Sequence, residues 1–167
     1  QNHMIFSKTI GENIKLTNKD ATDEELMEAI RMSDFEKDLN KLVNGTDTLC
    51  GEKGISLSGG QKQRIALSRA LIKNPDILIM DDCMSAVDGT TEKNILDNLR
   101  KIRSGKTNII ATHRISQVKD ADEIIVLENG RIVERGNHDS LMKQDGWYKE
   151  QYLRQTVESA YEKECDE

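Results

Sequence analysis

The chain has 167 residues, 36% of them hydrophobic, 32% charged and 4% aromatic, and a net charge of −6. That is apolar enough for a core, while the acidic balance and scarce aromatics argue against a nucleic-acid partner gripped by a basic face or a stacking platform. Three cysteines, Cys50, Cys83 and Cys165, with no CxxC pair suggest neither a zinc site nor a disulfide framework and fit a reducing compartment; no run of 18 apolar residues is present to cross a membrane, and no basic-then-apolar leader opens the sequence.

In chain order, residues 1–14 read as irregular or extended. Thr22 followed by Glu25 is a capping box, and Leu26, Ile30 and Met32 share one face of the helix it opens. A second short helix is predicted across 33–43, stopped by Asn44-Gly45, and 45–59 is a glycine-rich loop. A strong helix runs from Gly60 to Lys73 on Ile65, Leu67, Ala70 and Leu71, and ends at Asn74-Pro75. Residues 76–81 lack polar alternation, which predicts a strand covered on both faces, as in a parallel sheet. A helix at about 90–103 places Ile95, Leu99 and Ile102 at helical spacing, and 107–112 is another short buried strand. "EIIVLENGRIVERG" reads as a hairpin turning at Asn129-Gly130. The last 30 residues read as helices contacting the core through Leu141, Trp147, Tyr148 and Leu153. Strands alternating with helices and followed by a hairpin predict an α/β domain.

Two stretches carry chemistry. In "SLSGGQKQRIALSRAL", 56–71, Ser58-Gly59-Gly60 opens a helix, where exposed N–H groups and the helix dipole favour an anion. Two glycines let backbone approach a phosphate, Ser58 adds a hydroxyl donor, and Gln61 can reach the ligand or its sugar. The plainer alternative is an N-cap on a flexible turn. In "PDILIMDDCMSAVDG", 75–89, an apolar strand ends in Asp81 and Asp82, and Asp88 precedes a helix that it could simply cap. His113 follows the second strand; His138, near the start of a late helix, reads as structural.

Taken together, these motifs resemble the nucleotide-binding domain of an ATP-binding cassette (ABC) transporter of the exporter type. "LSGGQ" at 57–61 matches the family signature, "ILIMDD" its Walker B strand, "SAVD" at 85–88 its D-loop and "ATHR" at 111–114 its switch histidine. "DTLCGEKG" at 47–54 is similar to the exporter loop that faces the coupling helices through Glu52, and "QNHMIFSKTIGENI" to the segment that begins with the Q-loop glutamine, Gln1. The resemblance implies a truncated P-loop NTPase core, α/β with a mainly parallel sheet, a helical subdomain over about 12–74, and the remaining core, hairpin and helices over about 75–167.

It also implies roles. Asp81 and Gln1 would hold Mg²⁺, partly through water. Ser58, Gly59, Gly60 and Gln61 would bind ATP in trans, and His113 would reach the γ-phosphate. Asp88, Ser85 and Glu52 would lie at interfaces. Asp82 stands where the family usually has a glutamate that activates water; the shorter side chain retreats by roughly 1.5 Å, and such misplacement costs on the order of 100-fold in rate. No GxxxxGK[ST] loop occurs in the chain, so it is expected to be the C-terminal part of a nucleotide-binding domain, inactive alone and prone to self-association. The parent would be an exporter half at the cytoplasmic face of a membrane, with its transmembrane domain N-terminal to this stretch and a different ABC subunit as partner, one composite ATP site degenerate and one competent. A soluble ATPase of the superfamily and a non-catalytic dimerisation module are the alternatives.

Overall fold

The computed structural model describes residues 4–51 and 54–165, with side chains through Tyr161. Gln1 and Glu52 lie outside the described residues. The molecule forms two compact units that divide between Ala111 and Thr112.

The first unit contains α1 (Ile10–Ile14), α2 (Asp23–Met32), α3 (Glu36–Leu39), α4 (Gly59–Leu71), β1 (Ile77–Asp81), α5 (Gly89–Ile102) and β2 (Thr107–Ala111). Its helices begin where short polar side chains satisfy the orphan N–H groups of a first turn. Reciprocal capping boxes pair Thr9 with Glu12, Thr22 with Glu25 and Ser58 with Gln61. α2 buries Leu26, Ala29, Ile30 and Met32, and α4 buries Ile65, Leu67 and Leu71, while Ala70 faces solvent. With Ile10, Ile14, Phe35, Leu78, Met80, Met84, Ile95 and Leu99 these side chains make one core.

Two expectations need correction here. Residues 1–14 are not all irregular: Thr9 and Glu12 close a capping box, and α1 turns Ile10 and Ile14 fully into the core. The helix expected over 33–43 shrinks to α3, because Asp34 takes a left-handed φ of 53° that separates it from α2.

β1 and β2 pair in parallel, from Ile77 opposite Thr107 to Asp81 opposite Ala111. Neither strand is covered on both faces as predicted. Leu78 and Met80 are buried, but Ile77 is 60% and Ile79 69% exposed, and Ile109 on β2 is 49% exposed. Side chains alternate along a strand, and the helices of this unit cover one face only. Ile102, expected in the core of α5, is also largely exposed.

The second unit contains β3 (Ile124–Glu128), β4 (Arg131–Gly136), α6 (His138–Leu141) and α7 (Trp147–Cys165). Asn129 and Gly130, with φ of 49° and 76°, make the two-residue turn between antiparallel β3 and β4, as the sequence predicts. Leu141 and Tyr148 are fully buried among Ile115, Ile124 and Val126. Trp147 and Leu153, expected as contacts, are exposed instead. The inward face of α7 runs through Tyr148, Tyr152 and Gln155 at i, i+4 and i+7, so residues one position to either side point away. His138 is structural: its Nδ1 lies 2.9 Å from the Tyr148 hydroxyl.

Candidate functional site

The 13-residue α4 starts at a point built to hold its own first turn. Ser58, in extended conformation, accepts the Gln61 N–H through Oγ at 3.2 Å, and its own N–H donates to Gln61 Oε1 at 2.9 Å. Ser58 and Gly59 are exposed and Gly60 is buried. First-turn N–H groups have no acceptor within their own helix, and with the helix dipole they suit an anionic ligand at this exposed start. The Ser58 hydroxyl proton can still be donated, because the cap uses the oxygen as acceptor. Gln61 is engaged at both ends of its amide, since Nε2 donates to Asp38 Oδ1 at 2.9 Å. Asp38 in turn pairs with Arg64 Nη1 at 2.7 Å, tying α3 to α4.

Gly60 has a reason for being glycine within the chain itself. A Cβ at this position would stand 2.7 Å from the Ala86 carbonyl oxygen. The turn after β1 therefore packs directly on the first turn of α4. Sequence reasoning missed the side chain that joins them. Gln63, only 5% exposed, donates from Nε2 to Ser85 Oγ at 2.8 Å and accepts the Ala86 N–H on Oε1 at 2.8 Å. Its signal was its phase: Gly60, Gln63, Leu67 and Leu71 lie on one buried stripe, and Gln63 is the polar side chain among these four.

Asp81 is the last residue of β1 and exposed, on the same open face as Ile77 and Ile79. Asp82 is half-buried; its N–H continues the ladder to the Ala111 carbonyl at 2.9 Å, and its φ of 45° is left-handed. Aspartate tolerates that region better than most residues with a Cβ. Burial, aided by the charges of Asp82 and Asp81, pushes the Cys83 thiol up to about 11. Asp88 caps α5: Oδ1 accepts the Thr91 N–H at 2.9 Å and Oδ2 the Thr91 hydroxyl at 2.7 Å. These bonds, the backbone one first, hold its carboxyl below the usual range. His113 belongs to the second unit, where it is exposed and its carbonyl accepts from Gln155 Nε2 at 2.8 Å.

Among the described residues no group of three or more His, Cys, Asp or Glu side chains converges to hold a metal ion. One exposed strand-end carboxylate such as Asp81 still fits Mg²⁺, which keeps several waters and takes phosphate oxygens for the rest.

Known proteins resemble this chain in sequence and in fold. The ABC transporter family profile covers residues 1–85. The "Probable multidrug resistance ABC transporter ATP-binding/permease protein YheI" of Bacillus subtilis is 53% identical over 97% of this chain, which spans 28% of that protein. The "Multidrug resistance-like ATP-binding protein MdlA" of Escherichia coli is 48% identical over 96% of this chain and 27% of its own length. A solved structure titled "Structure of a bacterial Atm1-family ABC exporter with ATP bound" superposes with a TM-score of 0.85 at 42% identity, over 90% of this chain and 27% of that one. The chain spans little more than a quarter of the length of the relatives it matches. Its α/β fold, with parallel β1–β2 and packed helices, is that of an exporter's ATP-binding region, and the chain belongs to the ABC transporter family.

Proposed function

We propose that this stretch works within a full-length exporter that uses ATP hydrolysis to move a substrate across a membrane, with the nucleotide-binding parts at the cytoplasmic face. In that whole, a transmembrane domain and a GxxxxGK[ST] phosphate loop precede it. Two subunits, this one and a different ABC subunit, close around two ATP molecules. Residues of about 12–74 act as the helical subdomain and about 75–167 as the remaining core and C-terminal elements.

The start of α4 carries the reading: an exposed Ser58 and Gly59, capped by Gln61 and held against the turn that follows Asp82. Ser58, Gly59 and Gly60 donate to phosphate oxygens in the partner's site. Gln61 joins them once its amide leaves Asp38. Asp81 and Gln1 hold Mg²⁺, partly through water; when bound, Mg²⁺ neutralises charge on the phosphates. His113 bonds the γ-phosphate. Asp88 and Ser85 meet the partner subunit, and Glu52 faces the coupling helices. Asp82 would orient the attacking water but stands roughly 1.5 Å short of a glutamate. Its site therefore binds ATP and hydrolyses it slowly, on the order of 100-fold below a site with correct reach.

The test is turnover by the purified two-subunit exporter. Replacing the partner's corresponding glutamate with glutamine should nearly abolish hydrolysis, and Asp82→Glu should raise it. Turnover that survives loss of the partner's glutamate overturns the asymmetry. The 167-residue chain alone should give no heat with MgATP in calorimetry; measurable binding would refute the dependence on the missing phosphate loop. We also propose that this isolated chain self-associates through the open face of β1 and β2.

A further inference from the structure

We propose that Gln63 is a positioning residue that fixes the turn carrying Ser85 and Ala86 onto the first turn of α4, so that the anion-binding helix start and the segment after Asp82 move as one body. The inference rests on the function proposed above. Its own basis is geometric. Each polar end of the Gln63 amide is matched to a group on the turn, the Ser85 hydroxyl and the Ala86 N–H, both at 2.8 Å. The side chain is 5% exposed, so water cannot readily replace either bond, and an unmatched buried amide would carry a desolvation penalty. On the adjacent turn of the same stripe, Gly60 admits the Ala86 carbonyl so closely that a Cβ would stand 2.7 Å from it. One residue of the turn is thus held from both sides, its N–H by Gln63 and its carbonyl by the shape of Gly60. Val87 beside it is buried and closes the packing.

Two functions meet at this clamp. The helix start completes the partner's ATP site, whereas Asp82 and Asp88 flank the turn and serve this chain's own site and the subunit interface. A loosened turn would leave the helix able to bind nucleotide but let Ser85 and Asp88, which meet the partner subunit, drift relative to the helix start that completes the partner's ATP site, where most turnover takes place. Drift of about 1 Å costs up to roughly 100-fold in the chemical step. Ground-state binding, spread over many contacts, changes much less.

The experiment uses the full-length two-subunit exporter and the variants Gln63→Met and Gln63→Glu. Methionine keeps the length and removes both hydrogen bonds. Glutamate can still accept from the Ala86 N–H and from the Ser85 hydroxyl. Amide hydrogen exchange over residues 82–88 and ATP turnover are measured at a temperature where all forms are folded. Gln63→Met should speed exchange at Ala86 and lower kcat by at least about tenfold with KM for ATP nearly unchanged. Gln63→Glu should recover most of both. Unchanged exchange in Gln63→Met overturns the clamp. Faster exchange with normal kcat, or kcat losses that follow thermal stability in both variants alike, overturns its positioning role. If the unaltered exporter hydrolyses no ATP, the function proposed above fails and the positioning role with it, while the exchange measurement still decides the clamp.

Discussion

Asp82 is where side-chain reach and backbone conformation act on one residue. The left-handed φ of 45° explains why an acid with a short, locally hydrogen-bonding side chain is tolerated at the strand exit. The identity of the two acids was legible in the sequence; the left-handed turn was not, because nothing in "MDDCM" demands it. Next to them, Cys83 gives a direct chemical readout of this environment. Its thiol is pushed up to about 11, first by burial and then by the Asp82 and Asp81 charges. An unfolded cysteine titrates near 8.5, so the unfolded chain loses this proton first. The contribution of the protonated thiol to stability is therefore complete below about 8.5 and is lost as pH rises towards about 11. At pH 8 the thiolate fraction at Cys83 should be on the order of 100-fold below that of a free thiol. Peptide-resolved iodoacetamide labelling should find Cys83 slow in the folded protein and fast in urea. Equal rates in both would mean that the thiol is neither buried nor crowded by the acids.

At the scale of elements, α2, α4, α5 and the β3–β4 hairpin were legible because caps, periodicity and Asn129-Gly130 are local signals. α1 escaped notice although its Thr9–Glu12 box is written in the sequence, since five residues are too few to show a helical period. Gln63 escaped because a glutamine on a helix reads as a solvent-facing residue, and only its buried partners reveal otherwise. The contact between α4 and the following turn makes a prediction against simple propensity. Alanine in place of a helical glycine normally stabilises by about 1 kcal/mol. Gly60→Ala should instead destabilise by roughly 1–3 kcal/mol, because its Cβ meets backbone that cannot swing aside; the Ala86 oxygen would be 2.7 Å away. Gly59→Ala is the control, since its Cβ would meet only the Ala86 methyl at 3.3 Å. A melting midpoint lowered for Gly60→Ala and little changed for Gly59→Ala is expected. If Gly60→Ala melts at or above the parent temperature, the glycine is not there for this contact.

Among the described residues, the first unit keeps an apolar strand face that its own helices do not cover. "ILIM" announced a strand with two buried faces, but an apolar run records that something covers each face without saying what. Here Leu78 and Met80 meet the core, while Ile77 and Ile79 face out, with Ile109 beside Ile79 in the parallel register. Isoleucine side chains so placed are driven together in water. The magnitude limits what they can do. Three partly exposed isoleucines offer a few hundred Å², against the ~800 Å² per partner of a standard specific interface. The 167-residue chain should therefore associate with a second copy weakly and in proportion to concentration, rather than as a tight dimer. Light scattering across a wide dilution series should show an apparent mass that climbs with concentration. Ile79→Lys places a charge at the centre of the patch, leaves Leu78 and Met80 undisturbed, and should return the mass to that of a monomer. A mass that stays monomeric throughout, or that climbs equally for Ile79→Lys, would show that this face does not drive the association.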